Sequence, residues 1–296
     1  MQLGFLGTGR LSVPMIENLV ADGHAVTAWN RTAARAAPLA AAGVRVVESP
    51  AAVCAAGGMV LSCLADDTAL DAVFADGAVL AALGPGGVHV SMSTISAACA
   101  GRLAAAHAAA GVDYLGAPVI GRPDAVAGRL QSYLLAGAPA AKARVEPVLA
   151  ALGRRVFDFG TDPAAANVAK INFNFLIAGA IEAMAEAFAV VEKAGLDPGT
   201  FYEMVVGSAF GCPLYQNYGR ILVEQGWDTP AFTLALGLKD VRLAAETAAE
   251  CDARMRLGEL LERRFAAAVD HGLGEKDWTA VAVDVRAEAG LGGGRD

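Results

Sequence analysis

The stretch "AANVAKINFNF" sets one early charge, Lys170, in the opening turns of what then becomes an almost purely apolar helix. Helix formers run throughout, Pro163 suits a first turn, and Gly195 followed by Pro198 marks a stop. At about 100° per residue Asn167, Lys170 and Asn174 share one narrow stripe, and Asn172 points nearly the opposite way. A lysine in this setting is either a solvated charge near a helix start or an ammonium placed to move a proton. The other proton-transfer candidates are four histidines. His24 precedes a strand, His89 lies inside one, His107 is on an Ala-rich helix, and His271 is near the C-terminus. None is placed for catalysis. The five cysteines lack metal-ligand spacing and no nucleophile elbow occurs, so no metal is expected.

The second chemical signal is "GFLGTGRLSVPM", which puts Gly4, Gly7 and Gly9 at the exit of a first strand and the start of a helix. Gly7-x-Gly9 permits a tight turn that brings backbone N–H groups and a helix N-terminus against a pyrophosphate, and Ser12 takes the third glycine's place. Gly7, Thr8, Gly9, Arg10 and Leu11 are therefore candidate cofactor contacts. The next strand ends in "TAWNRTAAR". An acidic residue there suits the ribose 2′-hydroxyl of NAD, whereas Asn30, Arg31 and Thr32 suit a 2′-phosphate that a guanidinium can grip bidentately. NADP(H) is expected in preference to NAD(H).

Short β-like runs ("QLGFLG", "AVTAWN", "VRVVES", "GMVLSCL", "GGVHVSMS", "VDYLGAPV", "SYLLAG", "RRVFDFG") alternate with Ala-rich helical segments up to about residue 160, and helix follows helix from there on. This predicts an α/β chain: a Rossmann-type, doubly wound parallel sheet over 1–162, then an all-α domain over 163–296, with a cleft beside the N-terminal half of the long helix. The tail "GLGGGRD" is expected to fray. A net charge of -8 argues against a nucleic-acid ligand. The odd, scattered cysteine count fits reduced intracellular thiols, and "MQLGFLGTGR" enters the first strand with no leader pattern. Glu182, Glu186 and Glu192 make the long helix a core element, not a membrane span. A soluble, cytoplasmic protein is expected.

On these motifs the chain resembles the β-hydroxyacid dehydrogenase family over nearly its whole length. "GFLGTGRLSVPMIENL" is similar to the family's cofactor signature, "VSMSTIS" to its segment near the nicotinamide, "GAPVIGRPDAVAGRL" to its substrate loop, "NVAKINFN" to its catalytic helix, and "GLKDVRLA" to its late cofactor-contacting segment. The resemblance implies a reversible NADP(H)-dependent reductase of a small aldehyde or keto compound. Lys170 is then the general acid/base, and Asn174 orients the substrate oxygen. Thr94 and Lys239 contact the cofactor, and the loop of Cys63, Leu64 and Ala65 lies over its ribose. Ser96 and the Ile120-Gly121-Arg122 loop face the substrate. Asp240 anchors a helix, and the assembly is a homodimer or homotetramer.

Where the family's substrate loop carries a serine and two glycines, this chain has Ile120, Gly121 and Arg122. The hydroxyl that would hold a substrate carboxylate is gone, and Arg122 is either a different anion grip or a surface charge. Phe173, Phe210, Tyr215 and Tyr218 either shape a pocket for a bulkier substrate or pack between helices. "GHAVTAWNRTAARAAPLAAAG" also resembles imine reductases, but these commonly carry Asp, Tyr or Asn at the lysine position, so Lys170 favours carbonyl chemistry. A non-catalytic NADP-binding sensor would have lost the lysine and kept the glycines.

Overall fold

The computed structural model describes residues 1–55 and 57–291, and the last five residues of the glycine-rich tail lie outside them. The chain divides into two compact units, Met1–Lys170 and Ile171–Asp296, so the division falls inside the long helix, eight residues past the expected 162.

The first unit is built on a six-stranded, all-parallel sheet of β1 (Gln2–Leu6), β2 (Ala25–Trp29), β3 (Arg45–Val46), β4 (Met59–Ser62), β5 (Val88–Ser91) and β6 (Asp113–Gly116), in the order β3-β2-β1-β4-β5-β6. This is the dinucleotide-fold order, with its switch point between β1 and β4. The strands bury both faces: Leu3, Phe5, Leu61, Val88 and Val90 pack on one side, and Leu6 and Val60 on the other. The helices are α1 (Ser12–Ala21), α2 (Ala33–Ala36), α3 (Asp67–Phe74), α4 (Ala78–Leu83), α5 (Ala97–Ala109), α6 (Pro123–Ala127) and α7 (Pro139–Leu152).

One expectation is corrected. The last β-like runs do not extend the parallel sheet; "VDYLGAPV" breaks after β6 and continues as β7 (Val119–Ile120), which pairs antiparallel with β8 (Ser132–Leu135), itself parallel to β9 (Arg155–Asp158). Ala117-Pro118 at the break cannot extend β6 regularly, since a proline supplies no ladder N–H.

Helix α8 (Pro163–Lys193) starts at Asp162, whose carboxylate accepts the Ala164 N–H, with Pro163 in the first turn. Its start presses on the end of β6: a Cβ on Gly116 would sit 2.3 Å from the Pro163 carbonyl oxygen, so only glycine allows this approach. It ends at Gly195, φ +79°.

The second unit continues α8 and adds α9 (Pro198–Val206), α10 (Pro213–Glu224), α11 (Leu234–Glu250), α12 (Arg256–Ala268) and α13 (Val281–Glu288). Its core joins Ile181, Phe188, Leu238, Phe265 and Trp278. By length and apolarity α8 is long enough to cross a membrane. Glu182 at its middle is nevertheless buried and bonded 2.8 Å from Arg264, which marks a helix whose inner face is packed against protein. Tyr218 belongs to this core, in edge contact with Trp278, while Phe210 and Tyr215 pair with each other at 4.7 Å.

His89 and His107 prove to be a buried structural pair in the first unit. His107 Nδ1 faces the Leu103 carbonyl at 2.6 Å, which can only accept, so that nitrogen carries hydrogen. His107 Nε2 then accepts from His89 Nδ1 (2.9 Å), and His89 Nε2 accepts from Ser62 Oγ (2.8 Å). Both rings are neutral in this chain, and Phe74 and Tyr114 pack around them. Burial holds His89 well below the usual imidazole range, with His107 adding repulsion, and brings His107 down to about 4. An unfolded chain takes up both protons near pH 6.5 while the folded chain refuses them, so stability is full above that pH and falls as pH drops toward 4. At about 1.4 kcal/mol per unit and group, this predicts a loss of about 2 to 4 kcal/mol between pH 7.5 and 5. Urea unfolding at the two pH values checks it, and a His89→Asn/His107→Gln variant should show a flatter pH slope.

Candidate functional site

In the first unit the loops after β1, β2, β4 and β5 leave the carboxyl ends of adjacent parallel strands, where this fold binds nucleotides. The glycine turn is shaped by its neighbours. Gly7 has φ +97°, and a Cβ on it would lie 2.6 Å from the Cys63 carbonyl oxygen. A Cβ on Gly9 would meet nothing within 4 Å, so one side of this turn is open. Leu11 precedes α1 without any side-chain cap, and Arg10 is exposed. Thr8 is buried, and its hydroxyl has no hydrogen-bond partner among the described residues. A glycine cradle with open space, an uncapped helix start and an orphaned hydroxyl fits a pyrophosphate.

Asn30 also has a structural task. Its Oδ1 accepts the Thr8 N–H at 3.1 Å and its Nδ2 donates to the Thr32 carbonyl at 3.0 Å, so the amide clips the β1 and β2 loops together. Arg31 and Thr32 are exposed at the loop tip, as is Arg35 one turn on, a second cation which the sequence reading passed over.

Between β4 and β5 the connections are denser. Leu64 N–H donates to Ser93 Oγ at 2.8 Å, fixing the Cys63-Leu64-Ala65 loop to the segment after β5. Asp66 caps α3 by accepting the Ala69 N–H, and Asp67 reaches across to Ser96, accepting its N–H at 3.0 Å and its hydroxyl at 2.5 Å. Ser96 Oγ also accepts the Cys99 N–H, which makes this residue the cap of α5, with its hydroxyl engaged on both sides. Thr94 is half-buried between buried Ser93 and buried Ile95.

In the expected substrate loop, Ile120 packs with Leu134, Ala136 and Ala166. Gly121 is required by packing, because its Cβ would meet Gln131 Cβ at 2.7 Å. Arg122 stands 3.7 Å from exposed Asp124, a long surface pair of small energetic weight.

Lys170 is 8 % exposed, far too little for a solvated surface charge. One turn earlier Asn167 is fully buried; its Oδ1 accepts the Ile95 N–H at 3.2 Å, while its Nδ2 has no partner among the described residues. Leaving such a group unsatisfied costs about 1 to 3 kcal/mol. In the second unit Asn174 Nδ2 donates to Asp240 Oδ2 at 2.5 Å, and Asp240 Oδ1 lies 3.0 Å from Lys239 Nζ. Asp240 is thus the anchor expected, holding the Asn174 amide in place. Among the described residues no group of three or more His, Cys, Asp or Glu side chains can hold a metal.

Comparisons with known proteins agree with this geometry. Residues 2–160 match the family described as the NAD binding domain of 6-phosphogluconate dehydrogenase, and residues 164–284 that described as NAD-binding of NADP-dependent 3-hydroxyisobutyrate dehydrogenase. The chain is 37% identical over 282 residues to the uncharacterized oxidoreductase YfjR of Bacillus subtilis (strain 168), covering 95% of this chain and 98% of that one. It is 30% identical to glyoxylate/succinic semialdehyde reductase 1 of Arabidopsis thaliana, over 97% of this chain and 99% of the relative. The crystal structure of a 3-hydroxyisobutyrate dehydrogenase from Salmonella typhimurium superposes with a TM-score of 0.86 at 27% identity, over 95% of this chain and 99% of that one. With a nucleotide turn, a buried lysine and relatives that match along both units, the chain belongs to the β-hydroxyacid dehydrogenase family and is an NAD(P)-dependent oxidoreductase acting on hydroxyl and carbonyl groups.

Proposed function

We propose that this enzyme is an NADP(H)-preferring reductase of a small aldehyde or keto compound, working reversibly, with Lys170 as its proton donor and acceptor. The observation that carries the reading is the near-complete burial of Lys170 on the helix that begins in the dinucleotide-binding unit. The cofactor, when bound, supplies or accepts the hydride at the substrate carbon. Lys170 gives a proton to the carbonyl oxygen as that oxygen gains charge, and takes it back from the hydroxyl in the reverse direction. Asn174, four residues on and held by Asp240, orients the substrate oxygen. Thr94 and Lys239 serve as cofactor contacts. Gly7, Thr8, Gly9, Arg10 and Leu11 hold the pyrophosphate, and Cys63, Leu64 and Ala65 flank the ribose.

The preference for NADP(H) rests on Arg31, exposed with Thr32 just after β2, in a run from Asn30 to Arg35 that contains no Asp or Glu. Replacing Arg31 with alanine is expected to weaken NADPH binding by about 10- to 100-fold, the range for losing a charge-assisted bidentate contact, and to change NADH little. Fluorescence titration with both cofactors measures this, and equal losses would reject the 2′-phosphate assignment. The whole reading is tested by assaying semialdehydes, glyoxylate and cyclic imines with NADPH, and β-hydroxyacids with NADP+. Turnover confined to the carbonyl and hydroxyl compounds is expected; reduction of the imines alone, or silence across the panel, rejects it.

Self-association through the second unit belongs to the same proposal. On α8, Leu176 and Val190 are 66% and 68% exposed, with Ala183 exposed midway and Phe173, Ala180 and Ala187 half-exposed beside them. Their alternating three- and four-residue spacing is the pattern by which one helix seats another. A second copy covering this stripe gives a homodimer, or a homotetramer if two such faces are used. Sedimentation should report at least twice the chain mass, and a Leu176→Glu/Val190→Glu variant should sediment as one chain. The acidic balance and five free cysteines support a cytoplasmic location without a nucleic-acid or membrane partner.

A further inference from the structure

Three residues of the segment that follows β5 are tethered, each to a different element. Ser93 Oγ takes the Leu64 N–H from the β4 loop at 2.8 Å. Ile95 N–H donates to Asn167 Oδ1 on α8 at 3.2 Å. Ser96 is bound through both N–H and hydroxyl by Asp67 at the start of α3. Thr94 lies between Ser93 and Ile95, half-buried where they are buried. The middle tie leads directly to the helix that bears Lys170, three residues before it.

We infer that Asn167 is a positioning residue for the reaction: it locks the Thr94 segment to helix α8, so that the cofactor contact and the proton-transfer lysine are held as one rigid body. The inference rests on the proposed roles of Lys170 and Thr94. Packing alone does not explain an asparagine here. The site is fully buried between apolar turns of α8, and an aliphatic side chain would fill it without leaving Nδ2 unpaired. What an aliphatic side chain cannot do is accept the Ile95 N–H. That N–H lies beyond the end of β5, where no ladder partner takes it, and its satisfaction fixes the backbone direction at Thr94. Because Asn167 and Lys170 are one turn apart on a continuous helix, a sub-ångström shift of the segment would change the distance from substrate carbon to hydride donor, a quantity to which rates are steeply sensitive.

The test compares Asn167→Ala, which removes the acceptor and keeps a strong helix former, with Asn167→Asp, which restores an acceptor oxygen. Both are assayed with NADPH and the fastest carbonyl substrate of the panel above. Asn167→Ala is expected to lower kcat by about 10- to 100-fold, to leave the NADPH dissociation constant within about threefold, and to raise the deuterium isotope effect on kcat with 4-deuterated NADPH, because hydride transfer becomes slower than product release. Asn167→Asp is expected to recover most of kcat, with its pH profile moved upward by the new carboxylate one turn from Lys170. A purely structural residue would lower the unfolding midpoint and leave the isotope effect unmoved. Wild-type kcat in Asn167→Ala, or a fall in kcat matched by loss of NADPH binding, overturns the inference. If Asn167→Ala does not fold, Asn167→Ser is judged by the same readouts. Should Lys170→Ala be inactive while Asn167→Ala turns over normally, positioning fails and the proton-transfer reading stands. Turnover surviving in Lys170→Ala overturns both.

Discussion

Replacing Lys170 with alanine is expected to lower kcat by about 10³-fold or more while NADPH still binds with near wild-type affinity. The size follows from what is removed. Hydride addition leaves negative charge on the substrate oxygen, and without a proton donor within hydrogen-bond reach the reaction must draw on water, a far weaker acid than an ammonium group. The selectivity follows from where the residue stands. The glycine turn, Arg31 and the β4 loop are separate elements from α8, so deleting a side chain from that helix leaves the dinucleotide cradle intact. Alanine is the strongest helix former, so the substitution keeps α8 continuous. Lys170→Arg is the sharper control. It keeps the positive charge but holds a proton that a guanidinium does not release, so it should fail as an acid or base. Unchanged turnover in Lys170→Ala, measured by NADPH oxidation, would reject the assignment of proton transfer to this residue.

What was legible in the sequence was whatever depends on neighbours along the chain. The glycine turn, the alternation of strand and helix, and the span of α8 with its proline start and glycine stop are set by backbone conformation and local periodicity, and the structure reproduces them. The separate β7-β8-β9 sheet was not legible, because antiparallel pairing of Val119 with Tyr133 depends on how the chain returns in space. The same limit applied to side-chain roles. Asn30 and Ser96 carry groups suited to ligand contact, but their bonds to Thr8, Thr32, Asp67 and Cys99, partners up to 29 residues away, show only in the fold. Asn167 was placed on the same stripe as Lys170, but its partner Ile95 lies 72 residues back, and periodicity cannot show that. The aspartates at 66 and 67 did give a local signal, a doubled acid before an apolar helix. The first is an ordinary cap, and only the fold shows that the second binds across to α5.

Gly7 and Gly9 stand two residues apart in one turn, and alanine at each should fail in a different way. At Gly7 the backbone has φ +97°, and a Cβ would sit 2.6 Å from the Cys63 carbonyl oxygen and 2.8 Å from Leu64 Cδ2. Neither contact yields cheaply: Cys63 N–H is tied to the Leu6 carbonyl at 3.0 Å, and Leu64 N–H to Ser93. Gly7→Ala should therefore destabilise the cofactor-free protein by about 2 to 4 kcal/mol, from positive-φ strain plus overpacking, and NADPH affinity should fall with it by about 100-fold or more. At Gly9 a Cβ meets no protein atom within 4 Å and the backbone is not in the positive-φ region. Gly9→Ala should cost the cofactor-free protein no more than about 1 kcal/mol, since neither positive-φ strain nor overpacking arises there and only a modest helix-start preference for glycine is lost. Its methyl group would still project into the open space that fits the pyrophosphate, and NADPH binding should weaken by about 10- to 100-fold. Thermal unfolding without cofactor and fluorescence titration with it separate the two glycines: one holds the turn in shape, the other keeps its mouth clear. A Gly9→Ala variant that binds NADPH as tightly as the parent would move the pyrophosphate off this turn.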